Sequence, residues 1–204
     1  GGAGGSTGWS GGGGGGGGVY YSKSARVTPG SNLSVTVGQG GVSGWAIGDK
    51  IARTWEDTTR TSSTVPLGGA TNGQASGLGS ISVLGGGAGG SAGSLYFTSG
   101  SYYTEIYSQR NGSAGASGGG AAMDAETTAA GTNGQGYSGG QSSVRSWPSG
   151  SSTNNYAASG GGGFRGPGKG TKNSLENDSG YGGTGGPGFE TAITGSSKYF
   201  GSGG

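Results

Sequence analysis

Hydrophobic positions follow a strand period in only two parts of this chain. After a Pro29-Gly30 turn signal, Leu33, Val35 and Val37 alternate with polar residues, which predicts a β-hairpin over 19–37. Residues 94–110, SLYFTSGSYYTEIYSQR, predict a second hairpin turning around Ser99 to Ser101. Helical spacing is nearly absent, and 121–130 (AAMDAETTAA) is the one stretch able to make a turn or two. Elsewhere the pattern gives way to eight glycine-rich stretches: 1–18, 38–45, 68–79, 85–93, 112–120, 131–140, 159–170 and 180–189.

Within those stretches glycine falls in register. Gly2, Gly5, Gly8, Gly11, Gly14 and Gly17 match Gly-x-x six times in succession, and shorter runs such as Gly87, Gly90, Gly93 and Gly160, Gly163, Gly166 repeat the spacing. Three is the period of polyproline II, an extended helix with a rise of about 3.1 Å and no internal hydrogen bonds. Its amides must bond to neighbours, and a missing Cβ at every third position lets neighbouring helices come close enough. Collagen meets the same demand with Pro-rich X and Y positions, whereas only five Pro occur here. Ordering one Gly costs roughly 1–2 kcal/mol against about 1 kcal/mol returned by a net hydrogen bond. An isolated tract would therefore not hold, and only a lattice in which each helix meets several others would. The expected fold is one domain over 1–204, a mostly irregular, all-β-like bundle of packed polyglycine II helices with one or two short β-hairpins and essentially no α-helix.

Composition supports that choice. Gly makes up 59 of 204 residues, while Leu, Ile, Val and Phe together make up 23, too few for a sandwich, bundle or α/β core of this length. No window approaches the roughly 20 continuous apolar residues of a membrane span. With 11 basic and 9 acidic residues scattered singly, no nucleic-acid footprint is visible. The absence of Cys and His removes disulfides, thiolate and imidazole chemistry and nearly every zinc arrangement.

Candidate catalysis is thin. The acidic pairs Glu56 with Asp57, Asp124 with Glu126 and Glu176 with Asp178 are able in principle to serve acid-base work or Ca²⁺, but read better as solvated loop carboxylates. Residues 166–171, GPGKGT, lack the strand and helix that frame a phosphate loop. No enzyme activity, cofactor or metal is expected.

If successive glycine helices run antiparallel, their connections alternate between two ends. Segments 46–67, 94–111 and 141–158 then share one end with the chain after 189, and 19–37, 80–84, 121–130 and 171–179 lie at the other. The first set carries Trp55, Tyr96, Tyr102, Tyr103, Tyr107, Arg110, Arg145, Trp147 and Tyr156. Loops rich in Tyr, Trp, Ser, Gly and Asn with a few Arg have the composition of adaptable recognition surfaces. The competing role for each ring is to fill gaps between helices, most of all at Tyr20, Tyr21, Phe164, Tyr181 and Phe189, which sit beside glycine tracts.

The run GGGGGGGGVYYSKSARVTPGSNLSVTVGQGG, then GGGGFRGPG and GGTGGPGFETAITGSSKYFGSGG, resembles the glycine-rich domains of bacteriophage tail-fibre proteins, with Thr28 to Gly38 and Ile193 to Ser197 its more specific parts. Within that group the nearest architecture is that of the receptor-binding adhesins at the tips of long tail fibres of T-even-like phages. The resemblance implies a polyglycine II sandwich located on the virion at the tail-fibre tip. Its partners would be a bacterial outer-surface receptor, protein or polysaccharide, and a tail-fibre shaft protein, with no nucleic acid and no membrane insertion. The attachment domain of those adhesins has no clear counterpart here. Composition alone leaves open a structural or matrix filament and an ice-binding protein.

Overall fold

The computed structural model describes residues 1–5, 10–24, 26–43, 69–97, 102–106, 110–123, 125, 127–142, 157–171 and 182–204. Among them there is no helix. Eight short strands form small antiparallel sheets: β1 (Ser10–Gly11), β2 (Val35–Thr36), β3 (Ser76–Leu78), β4 (Ile81–Val83), β5 (Ser91–Phe97), β6 (Tyr102–Ile106), β7 (Phe189–Thr191) and β8 (Lys198–Phe200). Their orders are β1-β5-β6, β2-β3-β4 and β7-β8. The architecture is thus mostly irregular and all-β-like, as expected.

The glycine tracts between the strands are joined by backbone hydrogen bonds that recur every third residue. In tract 10–18 the amides of Gly12, Gly15 and Gly18 donate to the carbonyls of Gly90, Gly87 and Leu84, so tract 84–92 runs antiparallel beside it. The amides of Gly13 and Gly16 donate to Ser159 and Gly162, which places 158–163 parallel on another side. The Gly13 and Gly16 carbonyls accept from Gly120 and Ser117, and those of Gly12 and Gly15 accept from Gly5 and Gly2. The directions in which a Cβ would project repeat in the same way. Gly12 and Gly15 face 117–120, Gly13 and Gly16 face 201–204, and Gly14 faces Gly2. Tract 10–18 is consequently the centre of the bundle. The run Gly12 to Gly16 meets backbone within about 2.3 Å of every such Cβ position, so no side chain fits there.

Four of the stretches read from the sequence as single extended tracts fold back on themselves. Gly2 and Gly5 bond to Gly15 and Gly12, so 1–18 is a pair of antiparallel segments and not one long rod. In 112–120, Ser113 and Ala116 donate antiparallel to Ala88 and Gly85, whereas Gly87 and Gly90 donate in parallel to Ser117 and Gly120, so the chain reverses near Ala116. Segment 129–131 lies parallel to the first half of that stretch through the Gly115 to Gly131 bridge. The chain then turns at 132–135, where the Gln135 amide donates to Thr132, and 136–140 returns. In 159–170 the amides of Gly160 and Gly163 donate to Lys169 and Gly166, closing the fourth reversal.

The hairpin expectations divide. β5 and β6 pair with Tyr96 opposite Tyr103 and Phe97 opposite Tyr102, as expected, while the turn at Ser99 to Ser101 lies outside the described residues. The turn at Pro29-Gly30 forms, closed by the Ser31 amide on the Thr28 carbonyl with Gly30 at φ 79°. Among the described residues of 19–37 no hairpin follows from it. β2 pairs instead with β3, Val35 opposite Leu78, and β3 turns directly into β4 at Gly79, whose φ of 60° suits a residue without Cβ. A further hairpin, β7–β8, spans 189–200. Residues 121–123, 125 and 127–130 form no helical turn.

Buried apolar side chains are small: Ala88, Ala92, Ala116, Ala121, Ala122, Ala125 and Ala129, with Met123 the one larger group among the described residues. Backbone does most of the packing, and the buried side chains between tracts are mostly alanine.

Candidate functional site

Directions of the tracts, read from their hydrogen-bond partners, sort the connections by end. With 10–18 taken as running upward, 1–5, 38–43, 84–92, 117–122, 136–142, 166–171 and 201–204 run down, and 69–75, 110–115, 129–131, 158–163 and 182–188 run up. The described flanks of three aromatic segments therefore lie at the lower end: Val42 and Gly69 around 46–67, Ala92 and Arg110 around 94–109, and Ser142 and Ala157 around 143–156. Two expectations about the remaining segments are corrected. Because 112–120 and 159–170 each contain a reversal, the chain enters 123–128 and 172–181 from the lower end and not the upper. With the third reversal, at 132–135, the total is odd, so the chain after 189 caps the upper end, together with 19–37 and 76–83.

Of the candidate residues, Tyr96 lies on β5 and Tyr102 and Tyr103 on β6, where the register sets Tyr96 directly across from Tyr103. Arg110 is half-buried at the base of that hairpin, and its carbonyl accepts from the Ala122 amide at 2.8 Å. Trp55, Tyr107, Arg145, Trp147 and Tyr156 lie outside the described residues, as do the acidic pairs at 56 and 57, 124 and 126, and 176 and 178.

The β5–β6 hairpin rises from a floor of paired and buried small residues. β1 pairs with β5, Ser10 opposite Ala92, and the Ser10 hydroxyl accepts from the Met123 amide at 2.9 Å. Ala92, Ala122 and Met123 pack into one buried cluster beneath it. Further along the lower half, the buried Ser159 hydroxyl accepts from the Ala121 amide at 2.6 Å and also bonds the carbonyls of Gly140 and Ala121. That hydroxyl ties three tracts together. Met123 was expected at the opposite end from the aromatic segments. It lies instead at the lower end beside Ala92, because the reversal near Ala116 brings the chain back down.

Several rings pack at the upper end. Phe189 meets Tyr21 with centroids 5.1 Å apart and Phe164 edge-on at 5.7 Å, and the Arg165 guanidinium lies 5.0 Å above its face. Phe164 and Phe189 are half-buried, in keeping with the gap-filling role that their position beside glycine suggested, whereas Tyr21 and Tyr20 remain exposed. On the β7–β8 hairpin, Glu190 stands opposite Tyr199 and accepts from the Ser197 hydroxyl. A hydrogen bond to Glu190, then its charge and then burial raise Tyr199 above the usual tyrosine pKa of 10.0.

A shallow groove of about 550 Å³ runs between 136–142 and 166–171, lined by Thr128, Ser138, Gln141, Ser142, Pro167 and Thr171 among others. Among the described residues, its lining contains neither a titratable side chain nor an aromatic ring. Among the described residues, no group of three or more acidic, His or Cys side chains is placed to hold a metal, and no helix is long and apolar enough to cross a membrane. No family model, curated protein or solved structure matches the chain.

Proposed function

We propose that this chain is a non-enzymatic receptor-binding adhesin of a bacteriophage tail-fibre tip, built as a bundle of packed polyglycine II helices. Support for the helix type comes from the three-residue repeat of bonds and facing directions around tract 10–18, since three residues per turn is the polyproline II repeat. Support for the function comes from the ends: flanks of the three aromatic-rich segments 46–67, 94–111 and 141–158 gather at the lower end. In this arrangement the bundle supplies rigidity and the segments supply contact. Trp55, Tyr96, Tyr102, Tyr103, Tyr107, Trp147 and Tyr156 offer broad rigid surfaces at low entropy cost. Arg110 and Arg145 add the planar donors common at interface hot spots. The receptor is a protein or polysaccharide of the bacterial outer surface, and the other partner is a tail-fibre shaft protein.

Adsorption of purified protein to host cells tests the proposal. Trp147→Ala and Tyr103→Ala should each weaken binding by about 1–4 kcal/mol with an unchanged melting temperature. Variants that fold and bind at wild-type strength would place recognition elsewhere. Variants that unfold would assign the rings to packing.

A further inference from the structure

The tetrapeptide Thr-Asn-Gly-Gln occurs twice, at 71–74 and at 132–135, and the fold gives its two copies different surroundings. Asn followed by Gly is the pairing most prone to lose its side-chain amide, because a residue without Cβ lets the next backbone nitrogen reach the Asn Cγ unhindered. Copies with the same immediate neighbours start from the same intrinsic reactivity. A difference between them is therefore the work of the fold.

Both asparagines are exposed, so access of water does not separate them, but their hydrogen bonds do. At the first copy every group the reaction uses is engaged. The Asn72 side-chain nitrogen donates to the Ala114 carbonyl and its oxygen accepts from the Ala88 amide, both at 2.8 Å. The Gly73 amide, the nucleophile of the reaction, donates to the Gly86 carbonyl at 3.0 Å. Asn72 thus acts as a bridge between tracts 84–92 and 110–115.

At the second copy the same groups are free. Among the described residues, neither the Asn133 side chain nor the Gly134 amide has a hydrogen-bond partner. The turn closes around them, since the Thr132 carbonyl accepts from the Gln135 and Gly136 amides at 2.9 and 3.0 Å. Its flanks are pinned: the Thr132 hydroxyl donates to the Gly115 carbonyl, and the Gln135 side chain accepts from the Leu84 amide. Gly134, at φ 75°, stands in open space with nothing within 4 Å of its Cβ position. A third pair, Asn111 with Gly112, is intermediate, because Asn111 is exposed but Gly112 is half-buried against the Gly119 carbonyl.

From this contrast we propose that Asn133 is a site of non-enzymatic deamidation and that the lattice spares Asn72. The Gly134 amide nitrogen gives its proton to solvent and bonds to the Asn133 Cγ. The bond from Cγ to Nδ2 breaks, ammonia leaves with a proton from solvent, and a succinimide ring joins the two residues. Water then opens the ring at one of its two carbonyl carbons, giving either Asp or an iso-aspartyl link whose main chain runs through Cγ. One water is consumed and one ammonia released. Either product sets a carboxylate in the turn that passes the chain from 129–131 to 136–140, and the iso-aspartyl product also lengthens the backbone there.

The test incubates the folded full chain in mildly alkaline buffer and follows the three Asn-Gly pairs by peptide mapping with tandem mass spectrometry, beside the same chain unfolded in guanidinium chloride. In the folded chain Asn133 should be lost at least about tenfold faster than Asn72, whose reaction must wait for local opening of the lattice. Asn111 should fall between them. In the unfolded chain Asn72 and Asn133 should be lost at the same rate. Asn133→Ser should remove the first acidic species seen on ion exchange while leaving the melting temperature unchanged. Equal loss of Asn72 and Asn133 from the folded chain, loss of Asn72 or Asn111 ahead of Asn133, or a difference that survives unfolding would each overturn the inference.

Discussion

Replacing Gly119 by Ala puts the close packing of the tracts to a quantitative test. In most folds a Gly→Ala change at ordinary φ stabilises by about 0.4–1 kcal/mol, because the unfolded chain loses freedom. Gly119 has no positive φ, so backbone strain is not at issue. Its Cβ, however, would stand 1.8 Å from the Ala88 carbonyl oxygen and 2.4 Å from the carbonyl carbon. Reaching the 3.4 Å of ordinary contact requires tracts 84–92 and 117–122 to part by about 1.6 Å. The bonds from Gly87 to Ser117 and from Gly90 to Gly120, both 2.8 Å, would then stretch beyond 3.5 Å. Two buried amides losing their partners cost about 1–3 kcal/mol each, so the net change is about 2–5 kcal/mol of destabilisation after the entropy gain.

Scanning calorimetry reads this directly. At about 2–4 °C per kcal/mol for a chain of this size, Gly119→Ala should melt roughly 5–20 °C below wild type. Gly40→Ala is the matched control. Nothing lies within 4 Å of its Cβ position and its φ is not positive, so it should melt at or slightly above wild type. Amide exchange at Gly87 and Gly90 localises the effect, since those two amides should lose protection first. A Gly119→Ala protein melting within a degree of Gly40→Ala would refute the argument.

Three other measurements follow from the packing. Ser159→Ala should destabilise by about 1–3 kcal/mol by removing a hydroxyl shared among three tracts. Ser117→Ala should be neutral or stabilising, because the buried Ser117 hydroxyl has no partner; urea titration of both separates the cases. Met123→Ala should cost about 2–4 kcal/mol through the cavity left under Ala92 and Ala122, read by chemical denaturation. Tyr199 should titrate above pH 10 in an NMR titration and return toward the ordinary value in Glu190→Gln. Because its folded pKa is raised, its contribution to stability is complete below about pH 10 and is lost as pH rises through the folded value.

The glycine register was the most informative part of the sequence, and the reversals were the least. A turn inside an ordinary domain is marked by Gly, Pro or Asn against a background of other residues. In 112–120 the background is itself Gly, Ala and Ser, so the reversal near Ala116 carries no contrast. Each missed reversal changes the end at which later segments emerge. The β5–β6 hairpin was legible because Leu95, Phe97, Tyr103 and Glu105 follow a strand pattern with a local partner. β2 was legible as a strand but not in its pairing, because its partner, β3, is Ser-Gly-Leu and lies some 40 residues on. Exposure of Val35 and Val37 was not legible at all, since alternation predicts a covered face only when something apolar exists to cover it. Among the candidate contacts, the residue types were readable, and Arg110 shows the limit: its half-buried place at the base of the hairpin depends on a bond to Ala122 that no local pattern encodes.

A core made of backbone separates stability from recognition more cleanly than a hydrophobic core does. In an aliphatic core, each buried side chain must match the volumes of its neighbours, and a change in a connecting loop is often felt there. Here the contacts that hold 10–18 against its neighbours run from amide to carbonyl and from Cα to carbonyl. They depend on the absence of side chains along Gly12 to Gly16, not on the identity of any residue in the connections. The tract ends are the places where the chain must again supply side chains. They do so differently: Ala92, Ala122 and Met123 close the lower end from within, whereas Val35, Val37 and Ile193 leave the upper end apolar and open. The lower end is thus closed by the chain's own side chains, Ala92 of β5 among them. An end left apolar gains stability only when something covers it.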